Sequence, residues 1–262
     1  MAHPLDGVDE KVNRAAEHAQ ALRDRLKTID PAEFYDTVER SKPRPKGQMQ
    51  MLLLEHRLRV LKEPPLKLGI LAGDWAHNLR GALDHLVYQL AILDSPRPRA
   101  PEGTFFPIAR SEREYLDPGR CDGPSLRERA LAGIEEPHRA LIDSEQPYVG
   151  RSRAAAERHT LAVLSSFANT DKHRLIHPAA LRPLHITATP HVGQFRIEVL
   201  LPTRQPTVLS DDAEVYTLRI TEIASQQVQV KTDLAFTIGF GNRGLTEADF
   251  LNMCEDIRAL VN

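Results

Sequence analysis

Hydrophobic positions recur at helical spacing in several stretches of the chain. Over residues 7–29 they alternate with charged positions, which predicts an amphipathic helix that Pro31 ends. Leucines repeat with the same period over 66–93, where we predict the longest helix of the chain. Similar spacing predicts a helix over 152–175 and another over 247–261.

Other stretches follow the period of two that is typical of β-strands. Five β-branched runs are separated by proline, glycine, glutamine and aspartate, which predicts an antiparallel sheet: 184–191, 194–201, 207–210, 214–220 and 228–241. Residues 48–61 predict an additional strand or β-hairpin, while prolines and glycines over 101–150 predict short helices joined by loops.

These elements predict an α+β fold, in which an N-terminal helical bundle is followed by an antiparallel β-sheet and a C-terminal helix. We divide the chain into a mainly helical region, 1–180, and a region of antiparallel sheet plus closing helix, 181–262. The two regions are expected to pack as one unit, with the polar residues of interest in the first.

Composition narrows the class of protein. The chain has 262 residues, and its 34 basic and 36 acidic side chains give no overall field that attracts polyanions. Cys121 and Cys254 fit neither a metal motif nor a disulfide framework, which indicates a reducing compartment such as the cytoplasm. No signal peptide is recognised and no apolar run reaches the ~18 residues of a membrane span, so we expect no membrane partner.

The stretch GDWAHNLRGALDHL, residues 73–86, carries most of the candidate chemistry. On a helix its leucines form one apolar stripe, with Trp75 at the edge. The other face is polar and consists of Asp74, His77, Asn78, Gly81, Asp84, His85 and Tyr88. A glycine inside a helix costs about 1 kcal/mol relative to alanine, so Gly81 predicts a close approach by another group.

A second polar stretch, FANTDKHRLIHP, occupies residues 167–178. Asp171 falls within the apolar arc of its helix, and a buried carboxylate requires a partner. The expected partners are Arg80, His77 or His85 from the first helix, or Arg174 one turn away. We therefore predict a polar cluster where the two helices pack.

The spacing Arg80-x4-His85 resembles the R-x4-6-H motif of the HEPN superfamily, whose members are helical bundles and in many cases metal-independent ribonucleases. The resemblance implies an RNA partner, a site often assembled from two protomers and hence a homodimer. His85 would transfer a proton and Arg80 would neutralise the phosphate. His77, Asp84 and Asp171 would support them.

In this interpretation four further residues are expected to contact the substrate: Asn78, Tyr88, His173 and Arg174. Gly81 follows the arginine where HEPN nucleases usually have a polar residue. More broadly, HNLRGALDHL, FFPI and ANTDKHRL, in this order, resemble a family of uncharacterised bacterial proteins. This resemblance implies that the two polar stretches belong together and carries no activity with it.

Three other interpretations stay open at this point. The cluster is a structural network that fixes how two helices cross, it belongs to a non-catalytic module that binds a small molecule or a protein, or it holds a metal ion. His77 and His85 lie about 12 Å apart along a helix, however, so our prediction contains no metal. GFGNRG, residues 239–244, matches G-x-G-x-x-G but lacks the following strand and acidic residue, so we predict a turn and no nucleotide cofactor.

Overall fold

The computed structural model describes residues 5–42, 51–95, 103–118, 123–183, 185–203, 207–223 and 228–261. Its helices are α1 (Asp6–Lys27), α2 (Leu66–Asp94), α3 (Glu112–Leu116), α4 (Leu126–Ala130), α5 (Glu136–Ser144), α6 (Arg153–Arg158), α7 (Thr160–His173) and α8 (Glu247–Val261). Its strands are β1 (Tyr35–Lys42), β2 (Leu52–Val60), β3 (Pro178–Leu181), β4 (Ile186–Val192), β5 (Arg196–Leu200), β6 (Glu214–Thr221), β7 (Gln229–Leu234) and β8 (Thr237–Phe240).

The predicted α+β class is confirmed. Helices α1, α2 and α8 lie where the helical period placed them, and the described part of 101–150 contains three short helices. The helix predicted over 152–175 is divided into α6 and α7 at His159, whose backbone is extended (φ −61°, ψ 141°). The His159 ring caps α7 by accepting a hydrogen bond from the Leu161 N–H at 3.4 Å. None of the described helices is both long and apolar enough to cross a bilayer.

The described residues belong to two compact units, each built from separate segments of the chain. The first, here called the helical unit, comprises Met1–Leu22, Ile70–Ile176 and Glu247–Asn262, and the second, the strand unit, comprises Arg23–Gly69 and His177–Thr246. One transition, at His177, falls near the predicted boundary at residue 180. Helix α8 belongs to the helical unit, whereas the division from the sequence grouped it with the sheet.

Aromatic packing explains why α8 joins the helical unit. The Trp75 and Phe250 rings meet edge to face with centroids 4.4 Å apart, and Phe167 of α7 lies within 5.8 Å of Trp75. The Trp75 indole N–H donates to the Cys254 Sγ at 3.2 Å. Trp75 is therefore a core anchor, and burial raises the pKa of the Cys254 thiol, which makes it less reactive.

The largest sheet of the strand unit is antiparallel in the order β1-β2-β6-β5. The stretch 48–61 contains one of its strands, β2, and residues 48–50 lie outside the described part. Strand β1 was absent from the sequence-based prediction because YDTVERSK is largely polar. It pairs along its whole length with β2, from Tyr35 opposite Val60 to Lys42 opposite Leu53.

Smaller antiparallel pairs, β3 with β8 and β4 with β7, complete the strand unit. GFGNRG begins in β8 and continues as a turn that is closed by two hydrogen bonds between Phe240 and Leu245, each 2.9 Å. Gly244 has a φ of +66°, which favours glycine. Gly239 lies so close to the Leu181 side chain that a Cβ would come within 2.4 Å of it.

Candidate functional site

The candidate residues of α2 project from a helix that begins after two prolines and buries one side. Pro65 lies just outside it, and its carbonyl accepts from the Leu68 N–H at 3.0 Å. The predicted apolar stripe is buried at Leu79, Leu83 and Leu86. The polar positions on the other side separate into three groups along the helix. One lies near Gly73 and meets α7, one consists of Arg80 and Asp84, and one includes His85 and meets the start of α1.

The middle group is a clamp formed by Arg80 and Asp84, here called the Phe106 clamp. The Arg80 guanidinium donates to the Phe106 carbonyl at 2.6 Å, and the Asp84 carboxylate accepts from the Phe106 N–H at 2.9 Å. The two side chains are also ion-paired with each other at 3.0 Å. Asp84 and Arg80 thus satisfy both backbone groups of one residue.

The clamped residue belongs to a segment outside the helices and strands, residues 104–110, here called the strap, which contains the FFPI sequence. Gln146, fully buried, holds the strap a second time: its amide donates to the Pro107 carbonyl at 2.9 Å and accepts from the Ala109 N–H at 3.0 Å. The strap's backbone groups at Phe106, Pro107 and Ala109 therefore bond to side chains in place of a neighbouring strand.

Closer to the start of α2, Asp171 of α7 lies against Gly73. An ideal Cβ on Gly73 would be 2.2 Å from the Asp171 Oδ1. Burial and the nearby Asp74 raise the pKa of Asp171, and His77 opposes them. The expected meeting of Asp171 with the polar face of α2 is therefore present, and among the predicted partners it is His77 that acts on the carboxylate.

The remaining predicted partners of Asp171 lie elsewhere. Within the described ranges Asp171 forms no ion pair with Arg80, His85 or Arg174. His85 instead bonds to Gln89 at 2.9 Å, and its ring faces the beginning of α1, where a Cβ on Gly7 would be 2.5 Å from it.

The close approach predicted at Gly81 is made by Lys11 of α1, whose ammonium nitrogen would lie 3.3 Å from a Cβ. This contact is looser than the one at Gly73, and it involves the far end of a flexible side chain. The sharper restriction on side-chain size in α2 therefore lies at Gly73.

The predicted substrate contacts are dispersed. Asn78 donates to the Asp74 carbonyl at 2.8 Å, four residues back on its own helix. Tyr88 is half-buried on α2, whereas His173 and Arg174 are exposed at the end of α7. Their role in substrate binding stays a prediction. In the described part of the chain no group of three histidine, cysteine, aspartate or glutamate side chains is close enough to hold a metal ion.

One hydrogen-bonded histidine–aspartate pair was missed from the sequence. His138 Nδ1 lies 2.9 Å from both carboxylate oxygens of Asp94, whose side chain is only 5% exposed. Burial raises the pKa of Asp94. The hydrogen bonds from His138 and from the Glu135 N–H lower this pKa by more, so the net shift is downward. The acidic last residue of one helix and the Glu-Pro-His start of another were the available signal.

A second network was also missed. Arg127 of α4 pairs with Asp143 at 2.7 Å and with Glu136 at 2.7 Å, and the Tyr115 hydroxyl donates to Asp143 at 2.6 Å. Burial and the Asp143 carboxylate raise the pKa of Tyr115. This network links α3, α4 and α5, and its members are already satisfied by one another.

Comparisons of the chain with protein-family models, with curated proteins and with solved structures give no match.

Proposed function

We propose that the protein is a non-catalytic binding protein in which Arg80 and Asp84 serve to hold the strap onto α2. The observation that carries this proposal is the Phe106 clamp, in which both side chains bond to the backbone of the same residue. A guanidinium that already donates to a carbonyl and a carboxylate has fewer N–H groups left for a phosphate. Its side chain is only 17% exposed, which further restricts access by a polymer such as RNA.

The direction of the two side chains also favours a structural role. Residues five positions apart on an α-helix are separated by about 140° around its axis, so Arg80 and His85 leave α2 on different sides. Arg80 bonds to the strap, while His85 bonds to Gln89. A nuclease centre formed by these two residues within one protomer requires both groups to face one phosphodiester.

Asp171 does not by itself indicate an active site. Its pKa is raised by burial and by Asp74, which favours the protonated form, but a raised pKa is common in structural contacts as well as in active sites. The close contact with the Gly73 backbone gives the carboxylate a packing role between α7 and α2.

An RNA-cleavage assay tests the proposal against the HEPN-like ribonuclease and its RNA partner, which stay predictions. The wild-type protein, Arg80→Ala and His85→Ala are incubated with labelled RNA, with and without EDTA, and their melting temperatures are measured on the same preparations. We expect no cleavage above buffer for any of them, and a lower melting temperature for Arg80→Ala. Arg113→Ala is the matched control, because Arg113 also pairs with an aspartate four residues later but is 89% exposed.

The opposite result would establish an enzyme. If the wild-type protein cleaves RNA in EDTA, and a fully folded His85→Ala does not, the proposed binding role is wrong. The paired preparation of wild type and variant excludes a contaminating nuclease, because a contaminant would be present in both. The predicted homodimer is measured on the same samples by light scattering.

A further inference from the structure

The strand unit contains a small cleft that none of the sequence motifs had indicated. It lies beside the start of β1, the end of β2 and β3, and its volume is about 210 Å³. Its inner wall is apolar and includes Pro64, Ala180 and Leu209, all buried. Glu63 and Asp211 line it from the exposed side. An apolar wall with a few polar groups at the opening is the usual composition of a small-molecule site.

Tyr35 lines this cleft and has an unsatisfied hydroxyl group. The residue is only 4% exposed, and its ring meets Phe236 edge to face at 6.0 Å. Among the described residues its buried hydroxyl has no hydrogen-bond partner. Burial, together with the negative charge of Glu63, raises the pKa of Tyr35 to about 12. Buried polar groups normally have a partner, so this hydroxyl has bonding capacity left for a water molecule or for a polar group of a ligand.

The two carboxylates of the cleft also lack a counter-ion. In the described part of the strand unit Glu63 has no ion pair, and Asp211 accepts a hydrogen bond only from the Val60 N–H, at 2.9 Å. Several other carboxylates of the same unit are paired with arginines, for example Asp36 with Arg59 at 2.6 Å. The cleft therefore concentrates negative charge that its own side chains leave uncompensated.

We propose that the cleft binds a small organic cation with a primary ammonium group and a short apolar tail. The ammonium group donates to the Glu63 carboxylate and to the Tyr35 hydroxyl oxygen, and the tail packs against Ala180 and Leu209. Glu63 is exposed, so its side chain can change rotamer to admit the ligand. This inference rests on the proposed function, since it names the ligand class of a binding protein.

The size of the cleft limits the ligand. At ~30 Å³ for each water in the liquid, 210 Å³ corresponds to about seven water molecules. A ligand with about five to seven non-hydrogen atoms fits this space. Anions of the same size are disfavoured, because Glu63 and Asp211 repel them and the lining offers no lysine or arginine in return, only the imidazole of His177.

The test titrates the full chain with n-butylammonium, and amide NMR at pH 7.5 detects the binding. We expect saturable shifts at Ala179, Ala180 and Asp211 with a Kd of about 1 mM, which corresponds to a weak fragment-sized ligand. Neutral n-butanol and anionic butyrate, with tails of similar length, are expected to bind at least about tenfold more weakly, since neither supplies a positive charge.

Two variants locate the binding site. Glu63→Gln is expected to weaken butylammonium binding about tenfold, because it removes the negative charge that faces the ammonium group. Tyr35→Phe is expected to weaken it about threefold, because it removes the hydroxyl acceptor. Tyr35→Phe loses no internal hydrogen bond, so the strand unit stays folded in this variant. Asp233→Asn is the matched control: it removes an exposed carboxylate on β7 that has no ion pair in the described structure and is not among the residues that line the cleft.

Three outcomes would overturn the inference: no saturable shift with butylammonium, equal binding of butanol, or unchanged binding in Glu63→Gln. None of them bears on RNA cleavage, so the cleft can fail while the proposed function stands. Conversely, cleavage of RNA that depends on His85 would remove the proposed function and leave cation binding to be judged by its own titration.

Discussion

The Asp171 carboxylate lies directly over Gly73, at a point where α2 has room for a hydrogen atom but not for a methyl group. An ideal Cβ on Gly73 would come within 2.2 Å of Oδ1 and 2.6 Å of the carboxyl carbon. The contact joins α7 to α2 across almost a hundred residues of sequence. It also gives a physical reason for a glycine inside a helix, where glycine otherwise costs stability.

Gly73→Ala is expected to lower the free energy of unfolding by about 1–3 kcal/mol, because the new methyl group forces Asp171 or its helix to move. Chemical denaturation of the purified variant measures the effect. In an Asp171→Ala background the same change should cost little or become stabilising, since the obstructing carboxylate is gone. An equal loss in both backgrounds would show that the contact does not restrict Gly73.

Gly81→Ala is the matched comparison on the same helix. Its Cβ would lie 3.3 Å from the Lys11 ammonium nitrogen, the end of a flexible chain that can turn aside. We therefore expect this variant to raise the free energy of unfolding by about 0.5–1 kcal/mol, the usual gain of alanine over glycine in a helix. A loss as large as that of Gly73→Ala would indicate that α1 is held as tightly against α2 as Asp171 is.

The stability contribution of Asp171 is expected to depend on pH in a direction opposite to that of a salt-bridged aspartate. Burial and Asp74 raise its pKa above the ordinary 3.8, so the folded state binds the proton more tightly than the unfolded state does. The resulting stabilisation is complete below pH 3.8 and is lost as the pH rises through the folded-state pKa.

Asp171→Asn, which mimics the protonated carboxyl, should therefore melt at a higher temperature than wild type at pH 7 and at the same temperature at pH 3. Thermal melts across this range provide the measurement. Asp117→Asn makes the same change of charge at a carboxylate whose side chain is 57% exposed, and is expected to shift the melting temperature little. A lower melting temperature for Asp171→Asn at pH 7 would contradict the raised pKa.

The Phe106 clamp predicts a large difference between two arginine–aspartate pairs of the same spacing. Arg80→Ala removes a bond to the Phe106 carbonyl and leaves Asp84 without its cation, at a cost of about 2 kcal/mol. For a chain of this size the melting temperature falls by about 4–8 °C. Arg113→Ala, at the exposed pair, is expected to change the stability by less than about 0.5 kcal/mol.

A double variant separates the clamp from a simple surface pair. Arg80→Ala and Asp84→Ala together should cost less than the sum of the two single changes, because they act on the same backbone residue and on each other. Additive losses would mean that the two side chains support the strap independently.

Features of the fold that depend on neighbouring residues could be predicted from the sequence, whereas features that depend on contacts between distant segments could not. The helices α1, α2 and α8 were predictable because their apolar spacing is local. Strand β1 was not, since YDTVERSK carries mainly polar side chains and is held by pairing with β2. The break at His159 also escaped prediction, because a histidine that caps a helix has no strong sequence signal.

The meeting of Asp171 with α2 was predicted, and the division of the polar positions into groups was not. The arc that contains Asp171 correctly indicated a contact with the polar side of α2. Helical spacing gives the direction in which each side chain leaves the axis but not the segment that meets it. Arg80 bonds to the strap at Phe106, and His85 faces the start of α1 at Gly7. Both neighbours lie far from these residues in the sequence.

The sequence by itself determined the α+β class, the long amphipathic α2 and the presence of a polar face opposite its leucines, because these follow from the period of side chains along the backbone. Only the tertiary structure decided that Asp171 meets Gly73, that Arg80 and Asp84 hold Phe106, and that Tyr35 lines a cleft with Glu63. Those relationships join segments far apart in the chain, and they depend on packing that no local pattern contains.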